Sequence, residues 1–143
     1  MVIVMHVQVP CGDFDPSVAF YVDELGLFEP GDFHIYRDDA ALERMKKHGN
    51  VYLRLRHGPR CGILLIPVPD VGPTADAEAR VELRVPDVEA LYRRLSAAPL
   101  ASGATIRFPL RSTPSGHTFS MLDPWGNPVD CTSAIDPAGG GVA

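Results

Sequence analysis

The sequence feature that most constrains the fold is an internal repeat in the order of predicted elements. A strand, an amphipathic helix and three further strands are indicated before residue 70 and again after residue 76. Placing His6 on Arg80 aligns Asp13 with Asp87, and the apolar positions of the two helices then coincide without a gap. The repeat predicts an α+β chain made of two similar strand, helix and three-strand modules.

The first module carries one insertion. Asp15 and Pro16 are typical of a helix N-cap and first turn, and Gly26 is typical of a helix end. The inserted segment is polar, with acidic residues first and basic residues last, and we expect an exposed helix there. The predicted elements are strands at 3–9, 33–36, 51–56 and 62–68, the Asp15 helix, and the inserted helix at 38–47.

The second module follows a connector rich in proline and glycine. Its helix opens at Asp87, and apolar residues then recur at helical spacing. The predicted strands are 79–85, 104–108, 117–122 and 128–132. We therefore expect a single domain over 1–143, with module one at 1–70, the connector at 71–76, module two at 77–133 and a fraying tail at 134–143.

Composition excludes several classes of partner. The formal net charge of −5 disfavours nucleic acid, and no apolar run is long enough for a signal peptide or a membrane span. Cys11, Cys61 and Cys131 are an odd number of cysteines without CxxC spacing, which is typical of free thiols in a reducing compartment. We expect a cytoplasmic protein with no membrane partner.

Several motifs carry a family resemblance over residues 3–133. They are His6-Val-Gln-Val with Asp13 seven residues on, Ala19-Phe20-Tyr21, Leu25-Gly26, and Asp123-Pro-Trp-Gly-Asn127 before Val129-Asp130. With them the chain resembles the vicinal oxygen chelate superfamily, which includes glyoxalase I, bleomycin-resistance proteins and extradiol dioxygenases. The resemblance implies that each βαβββ module forms a curved half-barrel of mixed sheet. It also implies a cup between the modules for a metal or a small ligand, and a homodimer.

Strand alternation predicts which side chains face the cup. Val7, Val9 and Cys11 should pack against the helix, so that His6 and Gln8 point the other way. Trp125, in the Asp-Pro-Trp-Gly turn, packs over the edge of the cup or stacks on a planar ligand. The predicted ligand-binding residues are His6, Gln8, Arg80, Glu82, Arg84, Trp125 and Asp130.

The sequence carries suitable residues at only two of the four metal-ligand positions that the resemblance implies. The resemblance implies metal ligands at His6, Arg80 and Asp130 and at an apolar position near Leu64 or Leu65. Only His6 and Asp130 can donate to a metal, and a guanidinium would repel a cation. We expect no cofactor, with a divalent Zn, Ni, Mn or Fe ion held by His6 and Asp130 as the alternative.

Three functions remain open at this point, and no catalytic residue is assigned. The leading hypothesis is a small-molecule-binding protein similar to the bleomycin-resistance group. The second is a metal-dependent lyase or dioxygenase, and the third is a metal-free catalyst with His6 as base and Arg80 stabilising an oxyanion. A purely structural role is also open, with His6 hydrogen-bonded to Asp130 and Arg80 in an ion pair.

Overall fold

The computed structural model describes residues 6–31, 40–58, 60–69 and 80–134, with His6 described through its backbone alone. The first half contains β1 His6–Cys11, α1 Phe14–Val18 with a π-helical continuation Ala19–Glu24, β2 Phe28–Pro30, α2 Ala41–His48, β3 Val51–Leu55 and β4 Gly62–Pro67. The second half contains β5 Val81–Val85, α3 Val88–Ser96, β6 Thr105–Thr113, β7 Gly116–Leu122 and β8 Pro128–Ser133. No helix among these residues is long and apolar enough to cross a membrane.

The strands form two four-stranded mixed sheets with equivalent topology. The N-terminal sheet has the order β1-β4-β3-β2, and the C-terminal sheet has the order β5-β8-β7-β6. In each sheet the first strand runs parallel to the last, and the other neighbours are antiparallel. The predicted α+β fold of two βαβββ units is confirmed.

The first helix begins earlier than expected. Asp13, with extended backbone, is the N-cap, and its carboxylate accepts from the Asp15 backbone N–H at 3.3 Å. The expectation that Asp15 is the cap is therefore wrong. Asp15 and Pro16 instead occupy the first turn, where proline is tolerated because the first N–H groups have no intrahelical acceptor.

The same helix widens towards its end. The Leu25 backbone N–H donates at 2.7 Å to the carbonyl of Phe20, five residues earlier, which is the π-helical spacing. Phe20, Tyr21 and Leu25 in this segment are all fully buried. Gly26 follows with a positive φ of 75°, in agreement with its predicted role as the helix end.

The described residues of the first half do not meet every expectation. The strand predicted at 33–36 lies outside the described residues, whereas β2 was not predicted at all. The inserted helix is α2, which buries Ala41 and Met45 and is therefore not exposed on every side. Val9 and Cys11 are buried as expected, but Val7 is 43% exposed because it lies near the start of β1, an edge strand.

The second half shows how alternation separates the two faces of a sheet. Val81, Leu83 and Val85 are buried, and the intervening Glu82 and Arg84 are exposed. Helix α3 is capped by Asp87, whose carboxylate accepts from the Ala90 N–H at 3.0 Å, and its apolar stripe packs over β6, β7 and β8. We call the opposite side of this sheet, which α3 does not cover, the open face.

Side chains from both halves tie the two sheets together around the β7–β8 turn. The Tyr21 hydroxyl donates to Asp123 at 2.8 Å, and the Trp125 indole N–H donates to the Asp13 carbonyl at 3.1 Å. The Asn127 amide donates to the Pro10 carbonyl at 2.9 Å. The connector predicted at 71–76 and the tail beyond Ala134 lie outside the described residues.

Candidate functional site

The candidate site is a cavity of about 290 Å³ on the open face of the C-terminal sheet. All four strands of this sheet contribute to it, together with the residue that precedes β5. Its lining residues are Arg80, Glu82, Arg107, Phe108, Arg111, Thr118, Phe119, Ser120, Asp130 and Thr132.

Strand register explains why these side chains meet. Glu82 lies beside Asp130, Asp130 beside Ser120, and Ser120 beside Phe108, which makes one row across all four strands. Neighbouring residues in register share a face of the sheet, so the row projects into one space. An adjacent row runs from Arg84 through Thr132 and Thr118 to Arg111.

Two irregularities in β6 direct into the cavity side chains that a regular strand would point to the other face of the sheet. The register shifts between Ile106 and Phe108 and again between Phe108 and Arg111. A bulge places an extra residue on one strand and re-aims its side chains. Arg107, Phe108 and Arg111 therefore all line the cavity, although adjacent residues of a regular strand point to opposite faces.

Pro109 lies within the second shift, between Phe108 and Arg111. Proline has no N–H to donate to a neighbouring strand, so it is tolerated in edge strands and at bulges. Strand β6 is the outer strand of its sheet. The sequence Phe108-Pro109-Leu110 thus provides a local reason for the irregular register.

The centre of the cavity is a hydrogen-bonded carboxylate. Asp130 accepts from the Ser120 hydroxyl at 2.6 Å through one oxygen, and its other oxygen lies 3.4 Å from Arg80 Nε. The Arg80 side chain is 53% exposed, so this ion pair is open to solvent. Beside it, the hydroxyls of Thr118 and Thr132 are 3.1 Å apart.

Other charged groups of the cavity lack partners. Arg107 Nη1 is buried and forms no hydrogen bond. Among the described residues, the side chains of Glu82 and Arg111 form no hydrogen bond or ion pair. The Arg107 guanidinium lies 4.7 Å from the centre of the Phe108 ring, which is itself 53% exposed. The cavity therefore presents free charge and an uncovered aromatic ring together.

The structure brings together three of the residues predicted for the site. Arg80, Glu82 and Asp130 line the cavity. Arg84 lies on the same face in the adjacent row, but it does not line the cavity, and its guanidinium donates to the Ser133 carbonyl at 3.4 Å.

The other predicted site residues lie elsewhere. Gln8 is exposed on β1 of the N-terminal sheet. His6 pairs through its backbone with Gly62, and its side chain lies outside the description. Trp125 is in the β7–β8 turn, with its ring packed so closely over Gly12 that a Cβ there would fall 2.6 Å from it. Trp125 is thus in contact with the first half of the chain.

Sequence reasoning missed the β6 contribution, namely Arg107, Phe108 and Arg111. The strand was expected to end at residue 108, and a regular alternation would place Arg107 and Phe108 on opposite faces. The signal that could have found them is Pro109 inside an apolar and basic run, since an internal strand proline favours a bulge.

The metal positions implied by the family resemblance do not fit a metal in the described part of the chain. Arg80 and Leu64 offer no donor, and both oxygens of Asp130 already face Ser120 or Arg80. The described residues include no group of three His, Cys, Asp or Glu side chains arranged to hold a metal ion.

Comparison with known proteins places the chain in a family. The model of the glyoxalase/bleomycin resistance protein/dioxygenase superfamily matches residues 3–130. The chain belongs to this superfamily, as its motifs and its two βαβββ units indicated. No curated protein sequence matches it.

Solved structures show the same fold. A bleomycin-binding protein from bleomycin-producing Streptomyces verticillus, solved with copper(II)-bleomycin, is 26% identical, with a TM-score of 0.58 over 94% of this chain and 99% of that one. TnmS3, an antibiotic binding protein from a Streptomyces strain, is 22% identical, with a TM-score of 0.61 over 94% of this chain and 97% of that one. A superfamily member from Sphaerobacter thermophilus is 19% identical, with a TM-score of 0.61 over 93% and 98% of the two chains.

Proposed function

We propose that this protein binds a small organic molecule in the open-face cavity of its C-terminal sheet and releases it chemically unchanged. The observation that carries the proposal is the set of charged groups without partners around one cavity: Glu82, Arg111 and Arg107 Nη1. Arg107 Nη1 is buried whereas Glu82 and Arg111 are exposed, and charged groups without partners that converge on one cavity are typical of a ligand-binding site. The similarity to a bleomycin-binding protein supports the same class of function.

We propose that binding requires no catalytic metal. The carboxylate best placed for a cation, that of Asp130, is engaged by Arg80 and Ser120. A cation arriving there would displace one of these partners and meet a guanidinium beside it. The competing function is a metal-dependent lyase or dioxygenase with His6 and Asp130 as ligands.

The remaining expectations belong to the same proposal. The chain acts as a single domain, with modules at 1–70 and 77–133, in the cytoplasm and as a homodimer. Free thiols at Cys11, Cys61 and Cys131 support a reducing compartment. The dimer rests on resemblance to the superfamily.

A binding experiment with a cavity-filling variant tests the proposed function. The probes are copper(II)-bleomycin and a panel of planar aromatic antibiotics, measured by isothermal titration calorimetry. Thr132→Trp fills the cavity, whereas Thr105→Trp on β6 lies outside it and serves as the control. We expect saturable binding of at least one probe, reduced about tenfold or more in the first variant only.

Two further measurements decide between binding and catalysis. Mass spectrometry of the recovered probe should show it unchanged, and turnover would contradict the proposal. Metal content is measured after incubation with Zn, Ni, Mn and Fe(II) and desalting. Retention near one ion per chain, lost in His6→Ala, would favour the metal-dependent enzyme instead.

A further inference from the structure

The cavity is electrically asymmetric across the sheet. The strand order places Glu82 on β5 at one edge and Arg111 on β6 at the other. Three strand spacings separate these edges, about 14 Å. The charge of Arg80 is opposed by Asp130, so the free negative charge lies at the β5 edge.

The β6 edge holds positive charge without a counter-charge. The acidic residues that line the cavity, Glu82 and Asp130, lie on β5 and β8. Arg107 and Arg111 therefore have no carboxylate beside them among the lining residues. An acceptor that reached both guanidinium groups would be bound by charge-assisted hydrogen bonds.

Arg107 provides a second and independent observation. Its Nη1 is buried without an acceptor, and leaving a buried donor unpaired is unfavourable. The group is held at the cavity wall by the bulge that also turns Phe108 into the same space. Because Nη1 itself is closed to solvent, an oxygen of a bound ligand becomes its partner when the guanidinium turns towards the cavity that Arg107 lines.

The Phe108 ring indicates which chemical group of the ligand should lie next to that oxygen. Phe108 is 53% exposed, although phenylalanine is among the residues most often buried. The Arg107 guanidinium covers one side of its ring. The remaining exposed ring surface suits an aromatic ring, which gains both apolar burial and a preferred stacked or edge geometry.

We propose that the β6 edge of the cavity is a subsite for an aryl carboxylate. In this arrangement the ligand carboxylate accepts hydrogen bonds from Arg107 and Arg111, and its ring packs on Phe108. Glu82 at the far edge disfavours a second anionic group there and orients the ligand. The proposal rests on the proposed function, because it assigns a ligand class to the same cavity.

The test compares probes that share a naphthyl ring and carry a negative, neutral or positive group on it. They are 2-naphthoate, its neutral amide and the corresponding naphthylmethyl-ammonium ion, with acetate as an anion that lacks a ring. Affinity for the full chain is measured by NMR titration. We expect 2-naphthoate to bind at least about tenfold more tightly than the amide, because hydrogen bonds to charged groups are the stronger ones.

Variants assign the preference to named side chains. Arg107→Gln and Arg111→Gln should each weaken 2-naphthoate about tenfold and leave the amide nearly unchanged. Arg93→Gln carries the same loss of charge on α3, at the helix-covered face, and should change nothing. Phe108→Leu should weaken 2-naphthoate about threefold and leave acetate unaffected. Circular dichroism confirms that each variant is folded.

The outcomes separate this inference from the proposed function. Equal binding of all three naphthyl probes, or preference for the ammonium ion, would overturn the carboxylate subsite while the cavity remains a binding site. Unchanged 2-naphthoate affinity in both β6 arginine variants would also overturn it. If none of the three naphthyl probes binds, the aryl carboxylate subsite fails, whereas the proposed function is decided separately by the bleomycin and antibiotic titrations.

Discussion

The hydrogen bond between Tyr21 and Asp123 offers a quantitative test of how the two halves are joined. Both residues are buried, at 0% and 2% exposure. The Asp123 carboxylate accepts four hydrogen bonds, from the Tyr21 hydroxyl, the backbone N–H groups of Trp125 and Asn127, and the Asn127 amide. The perturbation is Tyr21→Phe, which removes one donor and leaves the ring in place.

The expected cost follows from the charge on the acceptor. A hydrogen bond to a charged group contributes about 1.5–3 kcal/mol, and since three donors remain we expect Tyr21→Phe to lower the free energy of unfolding by about 2 kcal/mol at neutral pH. When Asp123 is protonated the bond joins neutral groups, and the loss should fall to about 1 kcal/mol.

The direction of the pH dependence comes from the pKa of Asp123. Burial raises this pKa above its ordinary value of 3.8, while the bonds from Asn127, Tyr21 and Trp125 lower it. Because the pKa is raised in the folded state, the carboxyl makes its full contribution to stability at pH values below the unfolded pKa. That contribution is lost as pH rises through the folded pKa. Removing the Tyr21 hydroxyl raises the pKa of Asp123 further, so the deficit of the variant grows with pH.

Urea unfolding followed by far-ultraviolet circular dichroism measures both quantities, at neutral pH and at about pH 4. Tyr92→Phe is the control, since the Tyr92 ring contacts Phe119 and, among the described residues, its hydroxyl has no hydrogen-bond partner. A deficit below about 0.5 kcal/mol at neutral pH, or one that does not shrink in acid, would refute the reasoning.

Three further predictions concern single positions. Gly62→Ala should cost about 1–3 kcal/mol in urea unfolding, because an added Cβ would overlap a backbone oxygen of β3; a neutral result would contradict the tight β3–β4 packing. Thiol labelling of the folded chain near pH 8 should modify Cys61 first, since burial raises the pKa of Cys11 and Cys131 to about 12; equal rates at all three thiols would refute this. Asp87→Ala should lower stability by about 1 kcal/mol through loss of the α3 cap, measured by thermal unfolding, whereas Asp87→Asn should retain most of it.

The N-terminal sheet shows how far local signals extend. The repeat located β1, β3, β4 and their counterparts, because strands with one buried face alternate apolar and polar residues. It did not locate β2, whose three residues are too few to show a period. It also placed the first helix cap at Asp15 instead of Asp13, since both are acceptable cap residues and only the backbone geometry at Asp13 distinguishes them.

The residues of the candidate site also fall into those that could be predicted from the sequence and those that required the tertiary structure. Alternation along β5 identified Glu82, because side-chain direction in a regular strand follows from position alone, and the family resemblance identified Asp130. The β6 residues required the register with β7, which exists only once the sheet has formed.

By itself, then, the sequence determined the two modules, the faces of their regular strands and the family. The tertiary structure decided which polar side chains share a cavity. It paired Arg80 with Asp130, turned Arg107 and Phe108 to one side at a bulge, and placed Trp125 against Gly12. The physical reason is that periodicity is a local property, whereas register shifts and contacts between sheets depend on residues far apart in the chain.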